Sequence, residues 1–155
     1  SFLGPARAPP PPPRTKRFVF IRHGESEWNE IFNKGLNPSF LLRLGRGLAR
    51  EFVALPSRSS VFFDANLNAQ GVAQAQALAE RLEIQVLQDR DVATILQPVS
   101  QPPTSVVTCS NLRRSIATGL LALRRRLEKT GEKIVVHSAL QEITFNVDGL
   151  ALAVP

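Results

Sequence analysis

Two short polar segments, each directly following an apolar run, hold residue types suited to moving a phosphoryl group. The first is Arg22-His23-Gly24-Glu25-Ser26, at the end of Phe18 to Ile21; the second is Ser110-Asn111-Leu112-Arg113-Arg114-Ser115, after Ser105 to Thr108. Each residue type has a physical use. Glycine lets the backbone approach a ligand, arginine offers a two-pronged fork for phosphate oxygens, and a neutral imidazole is a nucleophile. Phosphoryl transfer asks a protein mainly for alignment and for neutralisation of the equatorial oxygens, so guanidiniums beside a histidine supply the main electrostatic effect. The departing alkoxide then needs a proton, and Glu142, beyond a third apolar run at Ile134 to Val136, stands at a suitable strand end.

The elements that must position these residues follow from the hydrophobic pattern. The three short apolar runs read as strands, the first, Phe18 to Ile21, as one buried on both faces. Ala69 to Leu87, rich in Ala, Gln, Leu and Glu, reads as a helix with Asn68 placed to cap it. A second helix is expected near Pro38 to Ala54, inside an insertion covering about residues 30–63, and residues 88–103, with three prolines, read as a connecting loop. Strands alternating with helices predict an α/β fold: a three-layer sandwich with a mostly parallel central sheet and helices on both faces. Ligands of such sheets sit outside the carboxyl ends of the strands, where His23 and Arg114 are expected. No internal repeat is visible.

The chain has 155 residues and 43% hydrophobic content, enough for one domain with its own core. Residues 1–17, with Pro9 to Pro13, four basic residues and no acid, read as a flexible polyproline-type arm ahead of a domain spanning 18–155. A docking site for a proline-recognising domain is the alternative reading of that arm. No apolar run is long enough to span a membrane and no secretory signal pattern is present, so a soluble, cytoplasmic protein is expected, although the basic arm also fits the remnant of an organelle address. The absence of methionine, even at position 1, implies an excised or partial product.

The single cysteine, Cys109, excludes an internal disulfide and a thiolate-rich zinc site. Cysteine phosphatases space Cys and Arg by five residues; the sixth position after Cys109 is Ser115, so Cys109 reads as a small buried residue. Gly45-Arg46-Gly47 lacks the third glycine of a dinucleotide loop, and no Gly-Lys-Ser/Thr sequence exists. The net charge of +6 draws anions without choosing among phosphorylated metabolites, nucleic acid and a membrane face. Arg124, Arg125 and Arg126, on one helix with Arg113 and Arg114, would make a basic footprint. With 6% aromatics, no Tyr and no recognisable module, nucleic acid is not expected as a partner, and neither is a membrane. Trp28 and His137 read as packing and structural residues.

Arg22-His23-Gly24-Glu25-Ser26-Glu27-Trp28-Asn29 resembles the signature of the histidine phosphatase superfamily, in the branch holding cofactor-dependent phosphoglycerate mutases and related phosphatases. Three further segments resemble the family's motifs in its order: Leu67, Gly71, Gln74 and Ala75 the start of its first long helix; Ser110 to Thr118 its second arginine motif; Leu140-Gln141-Glu142 its acid motif. The resemblance covers residue 18 to about 150. It implies that His23 is transiently phosphorylated, that Arg22 and Arg114 hold the phosphoryl group, that Glu142 acts as general acid and then base, and that Gly24 and Asn29 help form the pocket. It also implies a metal-independent enzyme acting on a small phosphorylated substrate.

The family completes its phosphate cage with a second histidine, followed by glycine, near the C-terminus. This chain has no counterpart up to Pro155: either one lies beyond it or the phosphate cage is incomplete. Two further departures concern the reaction. The family's mutases keep a short segment after Trp-Asn and place arginine after the acid, whereas here an insertion intervenes and Ile143 follows Glu142. Phosphomonoester hydrolysis is therefore expected. The alternatives are mutase-type transfer, which alone would need a bisphosphoglycerate primer, and a catalytically incomplete phosphate-binding relative. Substrate identity and oligomeric state are left open.

Overall fold

The computed structural model describes residues 15–54, 60–85, 90–96, 103, 105–143 and 146–151. Along them run α1 (Glu27–Phe32), α2 (Ser39–Ala54), α3 (Ala69–Gln85), α4 (Arg90–Leu96), β1 (Thr108–Cys109), α5 (Arg113–Ala122), α6 (Arg124–Thr130) and β2 (Val135–Val136), then two 3-10 turns, Ser138–Leu140 and Val147–Gly149. The fold is α-rich with a small parallel sheet, compatible with the α/β class. Among the described residues no helix is long and apolar enough to cross a membrane.

The sheet arises from a crossover. β1 passes into α5, a turn at Leu123 leads to α6, and Gly131, in the left-handed region at φ 68°, ends α6 and sends the chain back to β2. Parallel strands require such a connection, because a hairpin can only pair strands antiparallel. Thr108 pairs with Val135 and Cys109 with Val136; Val135 N donates to Val107 O at 2.9 Å and His137 N to Cys109 O at 2.8 Å. Beneath it Leu96, Val107 and Leu123 form a core, with Ile21, Leu82, Val92, Ile95 and Ile134 against it.

α3 forms where the composition places it, and Asn68 caps it: its side-chain oxygen accepts from Gly71 N at 2.8 Å, satisfying a first-turn amide. α2 occupies the insertion close to the expected span. Cys109 is buried, and Trp28 packs against Phe32 with ring centroids 4.2 Å apart.

Three expectations are corrected. Phe18 to Ile21 is not a strand among the described residues: Phe18 and Phe20 are exposed and stacked on each other, while only Ile21 turns to the core. An apolar run expresses a tendency to be buried, but a strand exists only where a neighbour's backbone answers its amides and carbonyls. Residues 88–103 are not wholly loop, because α4 forms at Arg90–Leu96; Pro98, Pro102 and Pro103 all follow it, and Leu96 is drawn into the core. The arginines at 113–114 and 124–126 are not on one helix, since Leu123 breaks it. Arg126 is buried and paired to Glu132, with further bonds to the carbonyls of Ile95 and Ser105, while Arg124 pairs with Glu128 and Arg125 with Glu83. The arm at residues 1–14 lies outside the described residues.

Candidate functional site

The segment around His23 is held from two sides. On one side stands the start of α3. Asn68 N donates to Glu25 O at 3.0 Å, Glu25 N to the side-chain oxygen of Gln74 at 2.9 Å, and Glu27 N to Asn66 O at 2.9 Å. Gly24 and Gly71 face each other so closely that a methyl at Gly24 would sit 2.5 Å from Gly71 O. This explains both glycines: the two backbones touch, and no side chain fits between them. Ser26 is buried, bridges to Leu67, and caps α1 by accepting from Asn29 N at 3.2 Å.

On the other side stands α5. Thr118 Oγ1 accepts from Gly24 N at 3.1 Å and donates to Arg114 O at 2.7 Å, so one hydroxyl links the loop to the helix. The helix is itself anchored by Asp64. Leu112 supplies no side-chain cap, and Asp64 Oδ1 instead accepts from Arg113 N at 2.8 Å, while Arg113 Nε donates to Asp64 O at 2.9 Å. Asp64 is fully buried and sits at φ 47°, a left-handed conformation that aspartate tolerates better than most side chains. Arg113 is thereby a structural residue.

His23 Nδ1 lies 2.7 Å from the carbonyl of Gly24. A carbonyl only accepts, so Nδ1 carries a proton, and in the neutral ring Nε2 keeps its lone pair. Arg114 Nε donates to that Nε2 at 3.3 Å. Arg114 is 2% exposed, and its Nη1 donates to Asp148 O at 2.9 Å and stands 3.5 Å from the Asp148 carboxylate. A buried cation thus faces the unprotonated nitrogen of a half-buried imidazole.

Of the residues expected in the site, the structure brings His23, Gly24 and Arg114 into one constellation. Arg22 is exposed and makes no bond or ion pair among the described residues. Glu142 is exposed beyond the first 3-10 turn, close enough to act electrostatically on Asp148. Asn29 bonds along α1, its side-chain oxygen accepting from Asn33 at 2.9 Å. His137 caps the first 3-10 turn, its Nδ1 accepting from Ala139 N at 3.2 Å.

Two site residues escaped the reading of the sequence. Thr118 carried a signal, since it stands four residues after Arg114 and so on the same helix face. Asp148 carried none, because only the path of the chain through the second 3-10 turn brings it to Arg114. Burial pushes the Asp148 carboxyl above its ordinary range, the Arg114 guanidinium opposes this, and nearby Glu142 adds to it. Its Oδ1 is buried without a hydrogen-bond partner among the described residues. Among those residues no three His, Cys, Asp or Glu side chains are grouped so as to hold a metal ion. No family model matches the chain, and neither a curated protein nor a solved structure is detectably similar to it.

Proposed function

We propose that His23 takes a phosphoryl group from a small phosphomonoester and passes it to water, the reaction of a histidine phosphatase. One arrangement supports this reading: an imidazole fixed as the Nδ1–H tautomer, its bare Nε2 3.3 Å from a buried guanidinium 91 positions away in the chain. The attacking nitrogen must be free, and a cation must wait where the oxygens of the transferring group spread their charge.

In the first step Nε2 attacks phosphorus, the ester P–O bond breaks, and Glu142 gives its proton to the leaving alkoxide. In the second, Glu142 takes a proton from water, the water oxygen attacks phosphorus, and the P–N bond breaks to release phosphate. Arg114 neutralises the equatorial oxygens, Arg22 turns from solvent onto the arriving group, the backbone at Gly24, pressed against Gly71, holds the His23 loop beneath it, and Asn29 helps shape the pocket. Ile143 in place of arginine and the long insertion favour water as acceptor over a second substrate. With water as acceptor, neither a metal nor a bisphosphate primer is required. The fold belonging to this reading is a three-layer sandwich over residues 18–155 in which β1 and β2 are part of a larger parallel sheet, in a cytoplasmic protein.

A second reading, a phosphate-binding relative without turnover, is favoured by a separate observation: Arg22 and Glu142 are both exposed while Arg114 Nη1 is occupied by Asp148. Incubation with p-nitrophenyl phosphate, with and without His23→Ala, separates the two. Hydrolysis abolished by the substitution, with an acid-labile phosphoenzyme trapped in the parent, is expected. Hydrolysis that survives it excludes the phosphohistidine, and phosphate binding that depends on His23 without hydrolysis supports the second reading.

A further inference from the structure

α2 is amphipathic but turned with its apolar side outward. It meets α1 at Gly47, where Ile31 fills the space a side chain would need. Its polar residues point the same way: Arg43 bonds the carbonyls of Ile31 and Gly35, and Glu51 accepts from Ser60 Oγ at 2.9 Å and from Val61 N at 2.7 Å. At about 100° per residue, Leu41, Leu48 and Phe52 form one outer stripe with Leu42 and Val53 beside it. These five are 73%, 55%, 76%, 56% and 78% exposed. Next around the helix come Arg46 and Arg50, both exposed, the latter with a long 3.3 Å contact to Glu27.

We propose that this face rests on an anionic lipid surface, with the leucines and Phe52 at the boundary of headgroups and acyl chains and Arg46 and Arg50 among the phosphates. An apolar stripe bordered by arginines is what such a boundary receives, since it offers hydrocarbon and negative charge side by side. The one acid of the helix, Glu51, is turned inward and held by Ser60 and Val61, so the outer face carries positive charge alone. A second copy fits poorly: packed antiparallel, two such faces would bring their arginine borders together, and Glu27 beside that border is already engaged by Arg50 of its own chain at 3.3 Å. The net charge of +6 acts in the same direction. The proposal replaces the expectation of no membrane contact with surface contact, and it does not depend on the chemistry at His23.

The experiment is co-sedimentation of the full chain with vesicles of equimolar phosphatidylcholine and phosphatidylserine, against phosphatidylcholine alone. Binding at least about tenfold tighter to the anionic vesicles, and weakening with salt, is expected. Arg46→Glu lowers it about fivefold or more, and Leu48→Gln with Phe52→Gln by more than about tenfold. All three positions are exposed, and an unchanged circular dichroism spectrum confirms that the fold persists. Equal binding to both vesicles, no binding, or variants that bind like the parent overturns the proposal. So does a solution dimer dissolved by Leu48→Gln with Phe52→Gln, which assigns the face to a second copy.

Discussion

Thr118 Oγ1 accepts the amide of Gly24 at 3.1 Å across 94 positions of sequence, and passes its own proton to the carbonyl of Arg114. The backbone beside His23 and the helix carrying Arg114 are thereby tied by one buried hydroxyl. Thr118→Val keeps the shape and removes the link, leaving a buried amide without a partner. A loss of about 1–3 kcal/mol in stability is expected, read by urea denaturation. On the proposed function, hydrolysis falls with it as Nε2 and Arg114 lose their register.

Arg114→Lys tests the guanidinium itself. Lysine keeps the charge but cannot donate to His23 and Asp148 at once from a planar fork. The expected outcome is a fall in phosphoenzyme formation of about 100-fold, in line with loss of one preorganised donor to a transition state. Rapid-quench measurement of phosphohistidine on the parent and the variant checks it. A rate close to the parent's would remove Arg114 from the reaction.

Two glycines inside helices should respond in opposite ways to alanine. At Gly71 the new methyl would run into the backbone of Glu25, so Gly71→Ala forces the His23 loop away from α3. A loss of about 1–3 kcal/mol is expected, as for other overpacked sites. At Gly45, in α2, nothing lies within 4 Å of the added carbon, and Gly45→Ala should stabilise by up to about 1 kcal/mol through helix propensity. Thermal melts of the two variants beside the parent decide the matter.

Glu132 and Asp148 should give opposite pH dependences. The hydrogen bond from Arg126 lowers the pKa of Glu132 below the ordinary 4.5, so its contribution is present above that value and is lost as pH falls through the folded pKa. Burial raises the pKa of Asp148 above the ordinary 3.8, so its contribution is full below that value and is lost as pH rises through the folded pKa. Glu132→Gln should therefore flatten the acid limb of the stability curve. Asp148→Asn should remove a decline on the rising side. Denaturation at a series of pH values reads both.

Much of the local architecture could be read directly. α3 and its Asn68 cap, the helix within the insertion, and the burial of Cys109 all depend on short-range composition and spacing, and neighbouring residues carry that information. Glycine at 24 and 71 could be read as special, but not as a pair, because nothing within either stretch says that the two backbones touch. Phe18 to Ile21 and α4 show the limit from the other side. Apolar content announced the first as a strand and proline count announced the second as a loop. Backbone pairing and burial of Leu96 decided otherwise.

The candidate site divides in the same way. Residue types alone nominated His23 and Arg114, since an imidazole beside glycine and a guanidinium after an apolar run have few other joint uses. That they meet at 3.3 Å, that the ring is held as one tautomer, and that Asp148 and Thr118 support the arginine are properties of the folded chain. Such contacts join positions tens of residues apart, and their geometry depends on how α3 and α5 pack around the loop. Sequence spacing records which side chains exist and which face of a helix they share. It holds no record of distance between segments that only burial brings together.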